Sequence, residues 1–214
     1  MTTLAPPDDL LSKNLLSNDL LPLVLRARPA LHPSDNEFFD FCRQNPDLRI
    51  EQTGKGDWII MAPTGFETGS RNSEVSRQLG NWARQDGLGV SFDSSTGFVL
   101  PGGAKRSPDA AWVLKSRLAA LTPEQKRRFL PLCPDFVVEL RSPSDNLADT
   151  QDKMAEYRGG GARLGWLLDA AERRVHVYRP GREIEILDAP ETVAGDPILP
   201  GFVLDLNLVW DPGF

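Results

Sequence analysis

Three residues could do chemistry together, although long stretches of chain separate them. Asp109 follows Pro108 and opens the apolar run DAAWVL, Glu139 sits inside FVVEL, and Lys153 lies within NLADTQDKMAEYR. Side chains alternate along a strand, so Phe136, Val138 and Leu140 share one face while Asp135, Val137, Glu139 and Arg141 share the other. A lone carboxylate carried deep into a core costs several kcal/mol or takes up a proton. Glu139 is therefore paired, bound to a metal, or placed at a sheet end that opens into a cleft. Asp109 has the same character, and if the two strands are neighbours the carboxylates converge. Two hard oxygen ligands, with water in the remaining positions, suit Mg²⁺ or Mn²⁺. Lys153 has Asp149 one helical turn before it and Tyr157 one turn after, all on one face. An ammonium above the end of the strand could orient or deprotonate a water, with burial and metal charge lowering its pKa toward that task.

Each residue also has a plainer reading. Asp109 after a proline can be a turn or capping residue, Glu139 can pair with Arg141 or another arginine, and Lys153 can belong to a solvated helical pair. Glu74 reads as a surface residue between Arg71 and Arg77, and Asp135 as the mouth of its strand. His32 lies in a loop and His176 in a strand, too far apart in the chain to suggest zinc. There is no Gly-x-Ser-x-Gly elbow, phosphate loop or Gly-x-Gly-x-x-Gly.

These residues must be positioned by an alternation of strands and helices. LRIEQ and DWIIMAP, joined by TGKG, form a hairpin signal. In TGSRNSEVSRQLGNWARQ, Val75, Leu79 and Trp82 recur at helical spacing. LGVSFDS, GFVLP and SPDAAWVL read as strands, as do RLGWLLD, RVHVYRP, EIEIL and LPGFVLDL. Ser34 with Glu37 caps one short helix, and Thr122-Pro123 with Gln125 starts another. A helix over 146–158, stopped by three glycines, follows the Glu139 strand. That strand–helix–strand unit implies a parallel pair inside a mixed sheet. The apolar leader LLSNDLLPLVL (15–25) reads as helical as far as Pro22.

Composition sets the outer bounds. The 214 residues are 40% hydrophobic and 25% charged, as in an ordinary soluble single-domain protein. No apolar run approaches the ~20 residues that cross a bilayer, and the acidic opening MTTLAPPDDLL is not a secretory signal. Cys42 and Cys133 lack the spacing of a disulfide framework or zinc knuckle, so a reducing cytoplasm is expected. A net charge of −6 argues against a protein that coats nucleic acid non-specifically, but leaves room for a local basic groove. The basic clusters KSR (115–117) and QKRRF (125–129) read as solvated helix.

PDAAWV, then PDFVVELRSPSDN, LADTQDKMAEYRGGGARLGWLLD and RVHVYRPG together resemble the Uma-two family, endonucleases of the PD-(D/E)XK restriction-endonuclease-like fold. The resemblance runs from about Asp57 to Trp210. It implies an α/β (α+β) core, a central mixed sheet flanked by helices over 48–214, preceded by an N-terminal helical extension over 1–47. It also implies a divalent metal, Mg²⁺ or Mn²⁺, on Asp109 and Glu139, joined by the Leu140 carbonyl. The fold's usual lysine would stand two positions after Glu139, where this chain has Arg141, which stays protonated and cannot act as a base. In the family that role falls to the following helix, here Lys153, with Tyr157 beside it. Glu74 matches the first-helix region that supports the metal.

The implied chemistry is phosphodiester hydrolysis of nucleic acid, DNA above all. Lys153 positions the attacking water or stabilises the transition state, and Arg141 holds the phosphate. A homodimer is expected, because two paired sites can cut two strands and two-fold symmetry is the commonest assembly. Two rival readings stay open. One is a nuclease-fold protein that binds nucleic acid or a protein without cleaving. The other is an interaction protein whose acidic cluster is a satisfied ion-pair network.

Overall fold

The strand containing Glu139 is apolar on both of its faces, the pattern of a strand covered on both sides. In the computed structural model, which describes residues 23–25, 33–143 and 145–213, that strand is central. The N-terminal half contributes β1 (Leu23–Leu25), α1 (Asp35–Gln44), β2 (Arg49–Gln52), β3 (Trp58–Met61) and α2 (Phe66–Asp86). Next come β4 (Gly89–Asp93), β5 (Phe98–Val99), β6 (Lys105–Arg106), β7 (Ala110–Leu114) and α3 (Lys115–Ala119). The Glu139 strand is β8 (Phe136–Arg141), followed by α4 (Leu147–Gly160), β9 (Leu164–Asp169), β10 (Arg174–Tyr178) and β11 (Glu185–Asp188). β12 (Thr192–Ala194), β13 (Val203–Asp205) and α5 (Asn207–Trp210) close the chain.

Two large sheets result. The six-stranded sheet runs β11-β10-β9-β8-β7-β4, and the five-stranded sheet runs β1-β3-β2-β6-β5. β8 and β9 are parallel, joined through α4 as the strand–helix–strand pattern predicts, and the other neighbours in the six-stranded sheet are antiparallel. Phe136, Val138 and Leu140 pack on one face with Trp166, Leu168 and the α2 residues Val75, Leu79 and Ala83. Val137 packs on the other face with Leu167 and with Met154 and Tyr157 of α4. The sheet is therefore a filling between two helices, and the Glu139 face is the one under α4. α4 ends as its glycines predict, with Gly161 in the left-handed conformation at φ 106°.

Phe202, between β12 and β13, stacks on Trp166 at 5.8 Å, and Phe136 meets Trp166 edge-on at 4.7 Å. Such aromatic pairs contribute roughly 0.5–1.5 kcal/mol each beyond area burial, and they fasten the C-terminal ribbon to the core.

Several sequence expectations change in detail. The reciprocal Ser34–Glu37 capping box is present on α1. Thr122 and Gln125 make the same reciprocal bonds, but what they start is a three-residue 3₁₀ turn, Gln125–Arg127. The sequence did not reveal β6 and β12, which are too short to show alternation. Of the extension expected over 1–47, residues 1–22 and 26–32 lie outside the described residues, including the leader's helical part and His32. Leu23–Leu25 is a strand paired with β3, and α1 packs on the five-stranded sheet through Phe38, 5.2 Å from Trp58. Among the described residues, no helix is long and apolar enough to cross a membrane.

Gly89 in β4 tests this packing. A β-carbon there would fall inside the indole of Trp112, which is 1% exposed and locked in the core. Gly89→Ala should destabilise the protein by about 1–3 kcal/mol, read as a lower urea midpoint at unchanged slope. An unchanged midpoint would contradict the close approach.

Candidate functional site

The β7–β8 register pairs Ala110 with Val138. Extending it by one residue sets Asp109 across from Glu139, and residues opposite each other in an antiparallel pair share a face. Asp109 is fixed from two sides: its Oδ2 accepts from the Leu140 amide at 2.8 Å, and its Oδ1 from Asn72 Nδ2 of α2 at 3.0 Å. The Glu139 carboxylate is 5% exposed and lies beneath α4. Tyr157 Oη donates to its Oε1 at 2.8 Å, and Lys153 Nζ donates to its Oε2 at 2.9 Å. Lys153 and Tyr157 are one turn apart, so a single helix face delivers both.

The five-stranded sheet supplies the rest. Glu51 of β2 is buried and accepts from Lys153 Nζ at 2.9 Å, from the Ser107 amide at 3.0 Å and from Arg106 at 3.0 Å. Arg106 also donates to Glu156 of α4 at 2.7 Å, and Glu156 accepts from the Gly54 amide at 2.9 Å. Lys153 is thus shared between a carboxylate of each sheet. Arg49, on the same face of β2 as Glu51, brings its guanidinium to 3.8 Å from Asp109 Oδ1.

The charges are unevenly satisfied. Burial pushes the Glu51 carboxyl up, but Lys153 and Arg106 outweigh it and hold the group down at about 2. Glu139 has only part of one cation. Burial raises it, Lys153 pulls it back, Asp109 and Glu51 push it up again, and it rests at about 7. Asp109 is also raised, by burial first, against the pull of Lys153 and the Leu140 amide. Glu51 is therefore an anchor, while Asp109 and Glu139 are two adjacent oxygen groups short of positive charge.

Among the described residues, no group of three or more His, Cys, Asp and Glu is arranged to hold a metal ion. Two carboxylates with a backbone carbonyl need no such group. Their hard oxygens and uncompensated charge fit a divalent cation. Asn72 Oδ1, on the side chain that grips Asp109, is buried without a hydrogen-bond partner among the described residues. An orphaned oxygen at that point suits the same fit.

Asp109, Glu139, Lys153 and Tyr157 are brought together, whereas the other sequence candidates lie elsewhere. Arg141 is turned to β9, where it donates to Asp169 at 2.7 Å and to the Asp145 carbonyl at 3.2 Å. Glu74 is taken by Arg77 and Gln78. It lies two residues from Asn72, roughly 200° around the helix from the side that faces Asp109. Asp149 is exposed. Asp135 is buried at the opposite end of β8, where it accepts from the Leu114 amide and pairs with Arg117. Burial pushes the Lys153 pKa down as expected, but in the metal-free chain Glu139 and Glu51 outweigh burial and raise it. Lys153 is an ammonium, held as a donor.

Glu51, Arg106, Asn72 and Arg49 were missed. The signal for Glu51 was available in part, as an acidic residue two places along from Arg49 in the strand LRIEQ.

Residues 35–207 match the model of the Uma2 family, described as "Putative restriction endonuclease". The chain belongs to the Uma2 family. Comparison with curated proteins finds no match. Among solved structures, a "putative nuclease belonging to DUF820" from Anabaena variabilis is similar at TM-score 0.63 and 20% identity, covering 75% of this chain and 89% of that one. This likeness is one of fold, a mixed sheet flanked by helices, as expected for the restriction-endonuclease-like class.

Glu51→Gln isolates the anchor. It leaves Lys153 and Arg106 short of a buried partner, so stability at pH 7 should fall by roughly 3–5 kcal/mol. A carboxylate held at about 2 and unfolding with an ordinary pKa stabilises the protein above pH ~4.5 and loses that contribution as pH falls toward 2. The gap between wild type and variant in urea titrations should therefore close over that window. A gap independent of pH would contradict the ionised anchor.

Proposed function

We propose that this Uma2 protein is a divalent-metal-dependent endonuclease that hydrolyses phosphodiester bonds of nucleic acid, with DNA as the substrate. One observation carries the reading: Asp109, partly buried, and Glu139, buried, are adjacent carboxylates short of close cationic partners, and Lys153 touches one of them. Family membership and the nuclease-like fold support it.

A Mg²⁺ or Mn²⁺ ion would be held by Asp109, Glu139 and the Leu140 carbonyl, where it would supply charge neutralisation and Lewis acidity at the scissile phosphate. The chain's own residues do the positioning. The Leu140 amide and Asn72 fix both oxygens of Asp109, and Tyr157 with Lys153 fixes Glu139. An ammonium has three donors. Lys153 gives one to Glu51 and one to Glu139, and the third N–H can be donated to the attacking water or to a phosphoryl oxygen that gains charge in the transition state. In this reading Lys153 orients and stabilises as an N–H donor. Arg141, committed to Asp169, stays outside the reaction and secures the end of β8 to β9.

The same reading carries a homodimer, since a duplex offers two strands to two symmetry-related sites. Sedimentation should give a dimer, and a monomer at micromolar concentration and above would contradict it. A second reading, binding without cleavage, is favoured by the engagement of both Glu139 oxygens in internal hydrogen bonds. Binding of duplex DNA with no cleavage in Mg²⁺ or Mn²⁺ would select it.

Lys153→Met should slow single-turnover cleavage of duplex DNA by about 10²-fold or more, while metal affinity stays the same or rises. Rates comparable to wild type would contradict the role given to Lys153.

A further inference from the structure

Resting on the nuclease reading, we infer that Arg49 is the residue that grips the substrate phosphate, the role that sequence had given to Arg141. Three of the cations around the cluster already have hydrogen-bonded carboxylate partners. Lys153 is divided between Glu51 and Glu139, Arg106 is 4% exposed and divided between Glu51 and Glu156, and Arg141 is divided between Asp169 and the Asp145 carbonyl. Arg49 differs. Its nearest carboxylate oxygen is 3.8 Å away, beyond hydrogen-bond distance, and its side chain is 32% exposed.

The local hydrogen-bond inventory points to a missing partner. Arg49 Nε is a buried donor without an acceptor among the described residues, and Asn72 Oδ1 is a buried acceptor without a donor. Both side chains approach the same oxygen, Asp109 Oδ1. Buried polar groups are rarely left unpaired, and an orphan at a partly open site marks a place where a ligand or water completes the bonding. For Arg49 the missing partner must accept from N–H groups, and an anion best matches a guanidinium that is always charged. A non-bridging phosphate oxygen pair meets both requirements, and the guanidinium engages it through two parallel bonds.

Arg49 pairs with Asp109 at 3.8 Å without a hydrogen bond to it. Asp109 Oδ1 is already held by Asn72, and Oδ2 by the Leu140 amide. Arg49 is thus close enough to reduce the repulsion between an incoming phosphate and the carboxylates, and the terminal N–H groups of its part-exposed side chain are not hydrogen-bonded to Asp109.

The test is binding of a short labelled DNA duplex, followed by anisotropy from low to moderate salt with calcium replacing magnesium. Arg49→Met should weaken binding by about ten- to a hundred-fold and reduce the slope of log K against log salt by about 0.9, the loss of one phosphate contact. Arg49→Lys, which keeps the charge but not the fork, should retain the wild-type slope and still bind several-fold more weakly. Calorimetry with Mn²⁺ should show metal affinity unchanged or higher in Arg49→Met. If wild type binds DNA and Arg49→Met shows the same affinity and slope, the phosphate contact is overturned while the nuclease reading stands. If Arg49→Met does not fold, wild-type affinity in Arg49→Lys overturns the two-bond grip. If wild type binds neither DNA nor RNA, single- or double-stranded, the contact and the nuclease reading both fall.

Discussion

The bridge from Lys153 to Glu139 and Glu51 is the interaction on which the site depends. Glu139 belongs to the six-stranded sheet, Glu51 to the five-stranded sheet, and Lys153 to α4, which connects β8 to β9. A single ammonium therefore fixes three elements relative to one another. Taking these charges out of water is costly, and the cost is offset only because each has close, well-directed partners. Arg106 extends the same bridge to Glu156, so the second sheet is held to α4 at two points.

The bridge divides the acids into two kinds. Glu51 faces two cations and stays ionised, while Glu139 and Asp109 are left with a deficit of positive charge. Neighbouring carboxyl groups pushed apart in pKa by their surroundings are a common feature of catalytic sites. Here the separation follows from position: Glu51 lies between Lys153 and Arg106, whereas Glu139 shares Lys153 and has an acid for its strand neighbour. On the proposed reading, a divalent cation would offset that deficit.

Local periodicity made the faces of the candidate residues legible, while their convergence was what the family resemblance implied. Strand alternation put Glu139 on a single face, proline before Asp109 marked the start of a second strand, and helical spacing put Lys153 with Tyr157. What escaped depended on tertiary contacts. The sequence showed LRIEQ as a strand but could not show that its outer end meets α4, so Glu51 and Arg49 stayed ordinary hairpin residues. Arg141 read as a phosphate ligand because its partner Asp169 is set by the register across a parallel crossover. Glu74 failed for a rotational reason, since Asn72 is the position on α2 that looks toward Asp109. The pKa of Lys153 went the other way because two carboxylates, one of them unforeseen, outweigh burial.

The claim that Asp109 and Glu139 form one metal-receptive pair can be tested most directly by anomalous diffraction from crystals soaked in Mn²⁺, recorded at the manganese edge. The account predicts an anomalous peak within coordination distance of both carboxylates and the Leu140 carbonyl. Diffraction from fully soaked crystals with no peak there, or with manganese bound only elsewhere, would contradict it.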